Sequence, residues 1–176
     1  MVKKTRIGGS NPPRPTMKQL KELREENGGQ TRLLWHENYW DGPLTGVMLW
    51  EGEKCWFETY EDDFVERPLT EEEIKDWADF LKIPVEEVDE EDKIDYEPYR
   101  RYNVYRIPKE TMEAIEYNHN LFRKYVGTHT DYDENGLRHH NLADYNEHHK
   151  YYNNRELHKK WEKDLDKWEL IDKFEW

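Results

Sequence analysis

Three short runs rich in large side chains, separated by turn residues, open the ordered part of the chain: 31–37 (TRLLWHE), 45–50 and 54–60. Asp41-Gly42-Pro43 marks the first turn, since glycine accepts positive φ and proline fixes its own. Glu51-Gly52-Glu53 joins the second and third runs as a hairpin. Within 54–60, alternation puts Cys55, Phe57 and Thr59 on one face and Trp56, Glu58 and Tyr60 on the other. Both faces carry aromatic rings, so partial cover is expected on each. A fourth strand is expected over 101–107 (RYNVYRI).

Elsewhere the apolar positions take helical spacing. Thr70-Glu71-Glu72-Glu73 is a capping box, in which the threonine hydroxyl accepts from the third helical amide and the glutamate reaches back. Ile74, Trp77, Ala78 and Leu81 follow at i, i+3, i+4 and i+7, one helix face, and Pro84 stops it. Pro108 can open the next helix, where Met112, Ile115, His119, Phe122 and Val126 share a stripe. Leu157, Trp161, Leu165, Trp168 and Ile171 also recur at helical spacing, which predicts one long helix over 142–172.

The expected fold is therefore α+β. It comprises a small antiparallel sheet of about four strands, helices at 70–82 and 108–126 on one side, and a long C-terminal helix crossing the edge or projecting toward a partner. Residues 1–30 read as a flexible basic arm: 1–16 are rich in glycine and proline, and a short helix over 17–27 ends at Gly28-Gly29. Residues 31–176 read as one domain.

Composition changes this picture in one respect. Hydrophobic residues are 35% and charged residues 38% of the 176, against about 45–50% and about 25% in ordinary domains, a balance that by itself points to disorder. The eight Trp, twelve Tyr and five Phe oppose it, because each ring can bury roughly 150–250 Å². The expected core is built from aromatics. No apolar run approaches the roughly 18 residues of a membrane span, and no apolar segment follows the basic N-terminus, so no secretory signal is expected. Cys55 is the single cysteine, which excludes an intramolecular disulfide and a multi-cysteine zinc site. A cytoplasmic location is expected.

The net charge of −13 is uneven. Residues 1–30 carry +4, residues 31–176 carry −17, and the stretch 51–99 holds 20 acids against five bases. Such a field repels phosphate backbones, which argues against direct DNA or RNA binding. The simple reading of the acid block is a solubilising surface; the sharper one is a surface for a basic protein partner.

Two constellations carry candidate chemistry. Trp35, Tyr39, Trp40 and Asp41 cluster aromatic rings and a carboxylate at a turn, and with Glu61, Asp62 and Asp63 they form the expected recognition surface. Seven of the eight histidines lie between His119 and His158. There, Glu116 and His119 at i, i+3, with Asp144 and His148 at i, i+4, have the ligand types and spacing to hold a divalent metal between two helices. The simpler reading of His119 is a hydrogen-bonded core residue. Residues 131–136 (DYDENG) match the start of an EF-hand loop, but Arg138 and Leu142 stand at its eighth and twelfth positions, where an aliphatic residue and a glutamate belong. Cys55, inside a strand, reads as a small buried hydrophobe. No Gly-x-Ser-x-Gly, Walker or Gly-x-Gly-x-x-Gly motif occurs. The leading expectation is a non-catalytic, acidic, aromatic-rich binding or inhibitor protein without a cofactor, recognising a basic protein or a nucleic-acid-binding enzyme. The alternative is a metal-dependent hydrolase using Glu116, His119, Asp144 and His148.

Overall fold

A computed structural model of the chain describes residues 17–39 and 42–176; the expected flexible segment 1–16, and Trp40 and Asp41, lie outside the described residues. Five strands pair antiparallel in chain order: β1 (Arg32–Tyr39), β2 (Pro43–Trp50), β3 (Glu53–Pro68), β4 (Ile94–Arg106) and β5 (Glu169–Glu175). The helices are α1 (Leu20–Glu26), α2 (Glu71–Leu81), α3 (Lys109–Tyr125) and α4 (Tyr145–Tyr152). At the β2–β3 hairpin both Glu51 and Gly52 take positive φ, 51° and 86°. That is the turn hand that matches the twist of paired strands.

The sheet buries both faces. A bulge at Leu34 breaks the alternation of β1, so Leu33 lies opposite Met48 while Trp35 lies opposite Val47. Leu33, Met48, Cys55, Phe57, Tyr102 and Phe174 form the core of one face, with Leu20 and Leu23 of α1 packed on it. Trp35, Val47, Trp56 and Trp168 form the core of the other, under Met112 and Ile115 of α3. Gly46 is obligatory at the centre of β2, because a Cβ there would collide with the Trp35 carbonyl oxygen.

The four-strand sheet with a long C-terminal helix is not what forms. Residues 142–172 divide into the two-turn α4, a 3-10 turn at Arg155–Leu157, an irregular passage and the start of β5. The cause lies in what the apolar positions meet. Trp161 and Trp168 both pack on Trp56, with ring centroids 5.6 and 6.0 Å away. Phe174 stacks on Tyr102 at 4.7 Å and 7°. A strand here also pairs the edge of β4, whose amides and carbonyls a helix would leave without backbone partners.

The helix over 70–82 also departs from expectation. Beyond the Glu61–Arg101 pair only β3 and β4 continue, as a two-stranded ribbon that ends where Pro68 meets Ile94. At about 3.3 Å per residue the ribbon extends roughly 25 Å. α2 forms at its far end behind the capping box of Thr70 and Glu73. It packs against the 3-10 turn Val85–Glu87, with Ala78 its buried residue. It tips an arm rather than covering the sheet.

Phe174→Ala should cost about 3–5 kcal/mol, the usual loss for a fully buried phenylalanine. Leu170→Ala, at a half-exposed position of the same strand, should stay within about 0.5 kcal/mol. Urea unfolding of the two variants separates these outcomes, and equal small losses would argue against β5.

Candidate functional site

The arm concentrates the charge of the whole molecule. Residues 61–97 hold 17 of the 40 acids and four of the 27 bases, so this segment alone carries the net −13 and the rest of the chain sums to zero. At its base two arginines are buried. Arg100 Nε donates to Asp62 Oδ1 at 3.0 Å, and Arg101 pairs with Glu175 at 3.1 Å and Glu61 at 3.4 Å. At its tip Arg67 clamps Glu73, with bonds of 2.8 and 2.9 Å, and reaches Asp95 at 3.0 Å. Hydrogen bonds from Arg67 and from the Thr70 amide and hydroxyl hold the Glu73 carboxyl down to about 2. The capping box is thus locked to the ribbon.

Between α2 and the ribbon end lies a groove of about 610 Å³. Trp77, Ile94 and Tyr96 line it, while Asp76, Glu91 and Asp92 bring carboxylates that have no cationic partner among the described residues. Trp77 stacks on Phe80 at 5.4 Å and 20°, and Phe80 is 73% exposed. Phe64, Leu81, Val85, Ile94 and Tyr96 are also substantially exposed. The arm tip is therefore an apolar, aromatic surface beside the carboxylates of Asp76, Glu91 and Asp92.

The residues expected to recognise a partner are distributed differently. Trp35 is buried in the sheet core. Tyr39 is half-exposed, with the Arg138 guanidinium 4.7 Å from its ring centre, and Trp40 and Asp41 fall outside the described residues. Glu61 and Asp62 are engaged with the buried arginines, and Asp63 accepts from the Phe64 amide at 2.9 Å. These three form the foot of the arm. Sequence reading did not single out Phe80, Ile94 or Tyr96, which the structure leaves exposed at the arm tip. Trp77 stands on the expected face of the 70–82 helix, and the available signal for its exposure was the density of acids around it, 17 of the 37 residues over 61–97.

The four expected metal ligands do not converge. Glu116 pairs with Lys54, and Asp144 caps α4 by accepting from the Asn146 amide at 2.8 Å. His148 lies 3.2 Å from the Ala143 carbonyl. Among the described residues no group of three or more His, Cys, Asp or Glu side chains is placed to hold a metal ion. The EF-hand-like segment is used otherwise too. Asp133 accepts from the amides of Asn135 and Leu137, both at 2.8 Å, closing a tight turn, while Asp131 points toward α3.

His119 and Asp131 line a second cavity, of about 370 Å³. Residues 130–132 run along the outer edge of β1, where the His36 amide donates to the Thr130 carbonyl and the Tyr132 amide to the Leu34 carbonyl. This edge pairing brings Asp131 under α3. Asp131 meets His119 Nε2 at 2.6 Å and Arg123 Nε at 2.8 Å, and the His119 ring stacks on Trp35 at 3.9 Å and 9°. Burial lowers the pKa of His119 and outweighs the opposing pull of Asp131. Burial alone would raise that of Asp131, but the hydrogen bonds from His119 and Arg123 hold it below the usual carboxylate range. The histidine is thus neutral at pH 7, and the nitrogen facing the carboxylate carries the proton. Lys54 and Arg123 both face this cavity already paired, and no serine or cysteine lines it. The arrangement ties α3 to the edge of β1.

No family model, curated protein or solved structure matches the chain. Function here rests on geometry.

His119→Leu should lower stability by about 1–3 kcal/mol in urea, since Asp131 then stays buried with one partner fewer; His119→Gln, which keeps a donor, should recover part of that loss. A second test uses pH. Burial, with Arg138, His129 and His119 nearby, pushes His36 down to about 4. The unfolded chain takes up that proton near 6.5, so acid loads the unfolded state first and stability falls as pH drops from 6.5 toward 4. The contribution is about 1.4 kcal/mol per unit for one proton. Wild type should lose stability over this window more steeply than His36→Gln, in which the other titrating groups are retained; parallel curves would rule the contribution out.

Proposed function

We propose that the protein is a non-catalytic binding module that engages a basic protein through its acidic arm. The observation that carries this reading is the coincidence, on one projecting ribbon, of the entire net charge with a solvent-exposed aromatic surface. A solubilising surface needs the charge but not the rings. Exposed contiguous apolar surface is a liability unless it meets a partner, and aromatic anchors inside a charged rim are the usual composition of an interface centre. The partner that fits is cationic with apolar side chains at its contact. A nucleic-acid-binding protein suits this description, with carboxylates of the arm taking the positions of phosphates, and the chain would then act as its inhibitor. The single cysteine, buried Cys55, suits a reducing cytoplasm. No helix among the described residues is long and apolar enough to cross a membrane.

An amphipathic synthetic peptide, with arginine on one face and leucine and tryptophan on the other, serves as probe. Association should be fast at low salt and slow steeply as salt rises, because exposed charges are screened over about 8 Å at physiological ionic strength. Replacing Asp76, Glu91 and Asp92 together by lysine should weaken binding about tenfold or more, mainly through the on-rate. Phe80→Ser should act mainly on dissociation. Neither variant touches a buried residue, so the melting temperature should hold. Binding that ignores both changes would leave the arm with a solubilising role only. Neutralising Glu61 and Asp62 is a poor test, because it removes the carboxylate paired with buried Arg100 and one of those paired with Arg101, and should destabilise the fold.

A further inference from the structure

On the sheet face under α1 the charge reverses. A cleft of about 390 Å³ opens between α1 and the 132–137 turn. Its apolar walls come from Leu20, Leu33, Tyr132, Leu137 and Trp176, and Leu33 belongs to the sheet core. Leu137 and Trp176 remain 65% and 44% exposed, so the walls are wet in the free protein. The polar lining includes three cations, Lys21, Arg24 and Arg32, and no Asp or Glu of the described residues. In a chain with 40 acids this is a marked local inversion.

The cations differ in how far they are engaged. Arg24 donates to the Asn135 carbonyl, which spans the cleft mouth, and Arg32 Nη1 donates to the Gly29 carbonyl at 2.7 Å. Arg32 Nε is buried without a hydrogen-bond partner, and Lys21 is exposed and forms no ion pair with the described residues. None of the three forms an ion pair with an acid of the described residues. A buried guanidinium N–H without an acceptor, beside apolar walls, is the half of a site that an anionic ligand completes.

We propose that this cleft binds a small apolar anion: an aliphatic or aromatic body bearing one carboxylate, its body against Leu33 and Trp176 and its charge toward Lys21 and Arg32. The volume lies in the range of small-molecule sites, about 300–1,000 Å³, and is too small to admit an arm tip of another copy beyond single side chains. Charge disfavours the N-terminal segment of the same chain as occupant. Residues 1–16 carry Lys3, Lys4, Arg6 and Arg14 and no acid, the same sign as the cleft.

Calorimetry with decanoate, decanol and decyltrimethylammonium on the full chain tests this. Decanoate should bind one to one with a Kd below about 1 mM, decanol more weakly, and the cation not at all. Two exposed positions supply variants that should leave the fold intact, checked by thermal melting. Lys21→Glu should weaken decanoate binding about tenfold or more by reversing a charge at the mouth. Leu137→Glu should do the same by placing a carboxylate in the wall. The lysine variant of Asp76, Glu91 and Asp92 should leave decanoate binding unchanged, which separates this site from the arm. Equal binding of decanoate and the cation would overturn the proposal, as would indifference to both cleft variants. Self-association that is abolished by Lys21→Glu, with no binding of decanoate, would assign the cleft to a second copy instead.

Discussion

Arg100 and Arg101 sit where the five-stranded body narrows to a two-stranded ribbon, and both are buried. A guanidinium cannot be left without a counter-charge in such a place. Asp62 and Glu61 meet the two arginines from β3, and Glu175 meets Arg101 from β5. The amide of Trp176 adds a backbone bond to the Arg100 carbonyl at 3.1 Å. One knot of charge thereby holds the end of β5, the register of β3 on β4 and the angle at which the arm leaves the sheet. A bulge at the same level, between Thr59 and Glu61, adds the local twist that such irregularities bring.

On either side of that junction the molecule solves different problems. The body closes both faces largely with rings, Tyr102 and Phe174 on one, Trp56, Trp161 and Trp168 on the other, beside aliphatic residues such as Leu33, Val47 and Ile115. The outer edge of β1 is covered by the 130–132 segment, and the neutral His119 with the charged Asp131 fastens that cover to α3. The arm has almost no core. Its order comes from a long antiparallel ladder, one capping box and the Arg67 clamp. Its rings are left facing water.

The molecule thus presents two surfaces of opposite sign. The groove at the arm tip gathers Asp76, Glu91 and Asp92, while the cleft under α1 gathers Lys21, Arg24 and Arg32. Each sets apolar side chains beside charge of one sign: Trp77, Ile94 and Tyr96 beside carboxylates at the arm, and Leu20, Leu137 and Trp176 beside cations at the cleft.

Local chemistry along the chain was enough to place the first three strands, the 51–53 turn, the helix behind Thr70 and the helix after Pro108, because turn residues, capping boxes and short-range periodicity act within a few residues. Cys55 as a small buried hydrophobe was legible for the same reason. The C-terminal region was not. Leu157, Trp161, Leu165, Trp168 and Ile171 do have helical spacing, yet the backbone there answers to Trp56, Tyr102 and the open edge of β4, partners 63 to 112 residues away in sequence. Nor did the sequence reveal that Asp131, which resembled a calcium ligand, would be carried under α3 by edge pairing and spend its charge on His119 and Arg123. The acid content of 61–97 was visible from composition alone. That it stands apart as an arm, with Trp77 and Phe80 exposed, was decided by the tertiary structure, because only strand pairing determines how far a ribbon runs beyond the sheet that anchors it.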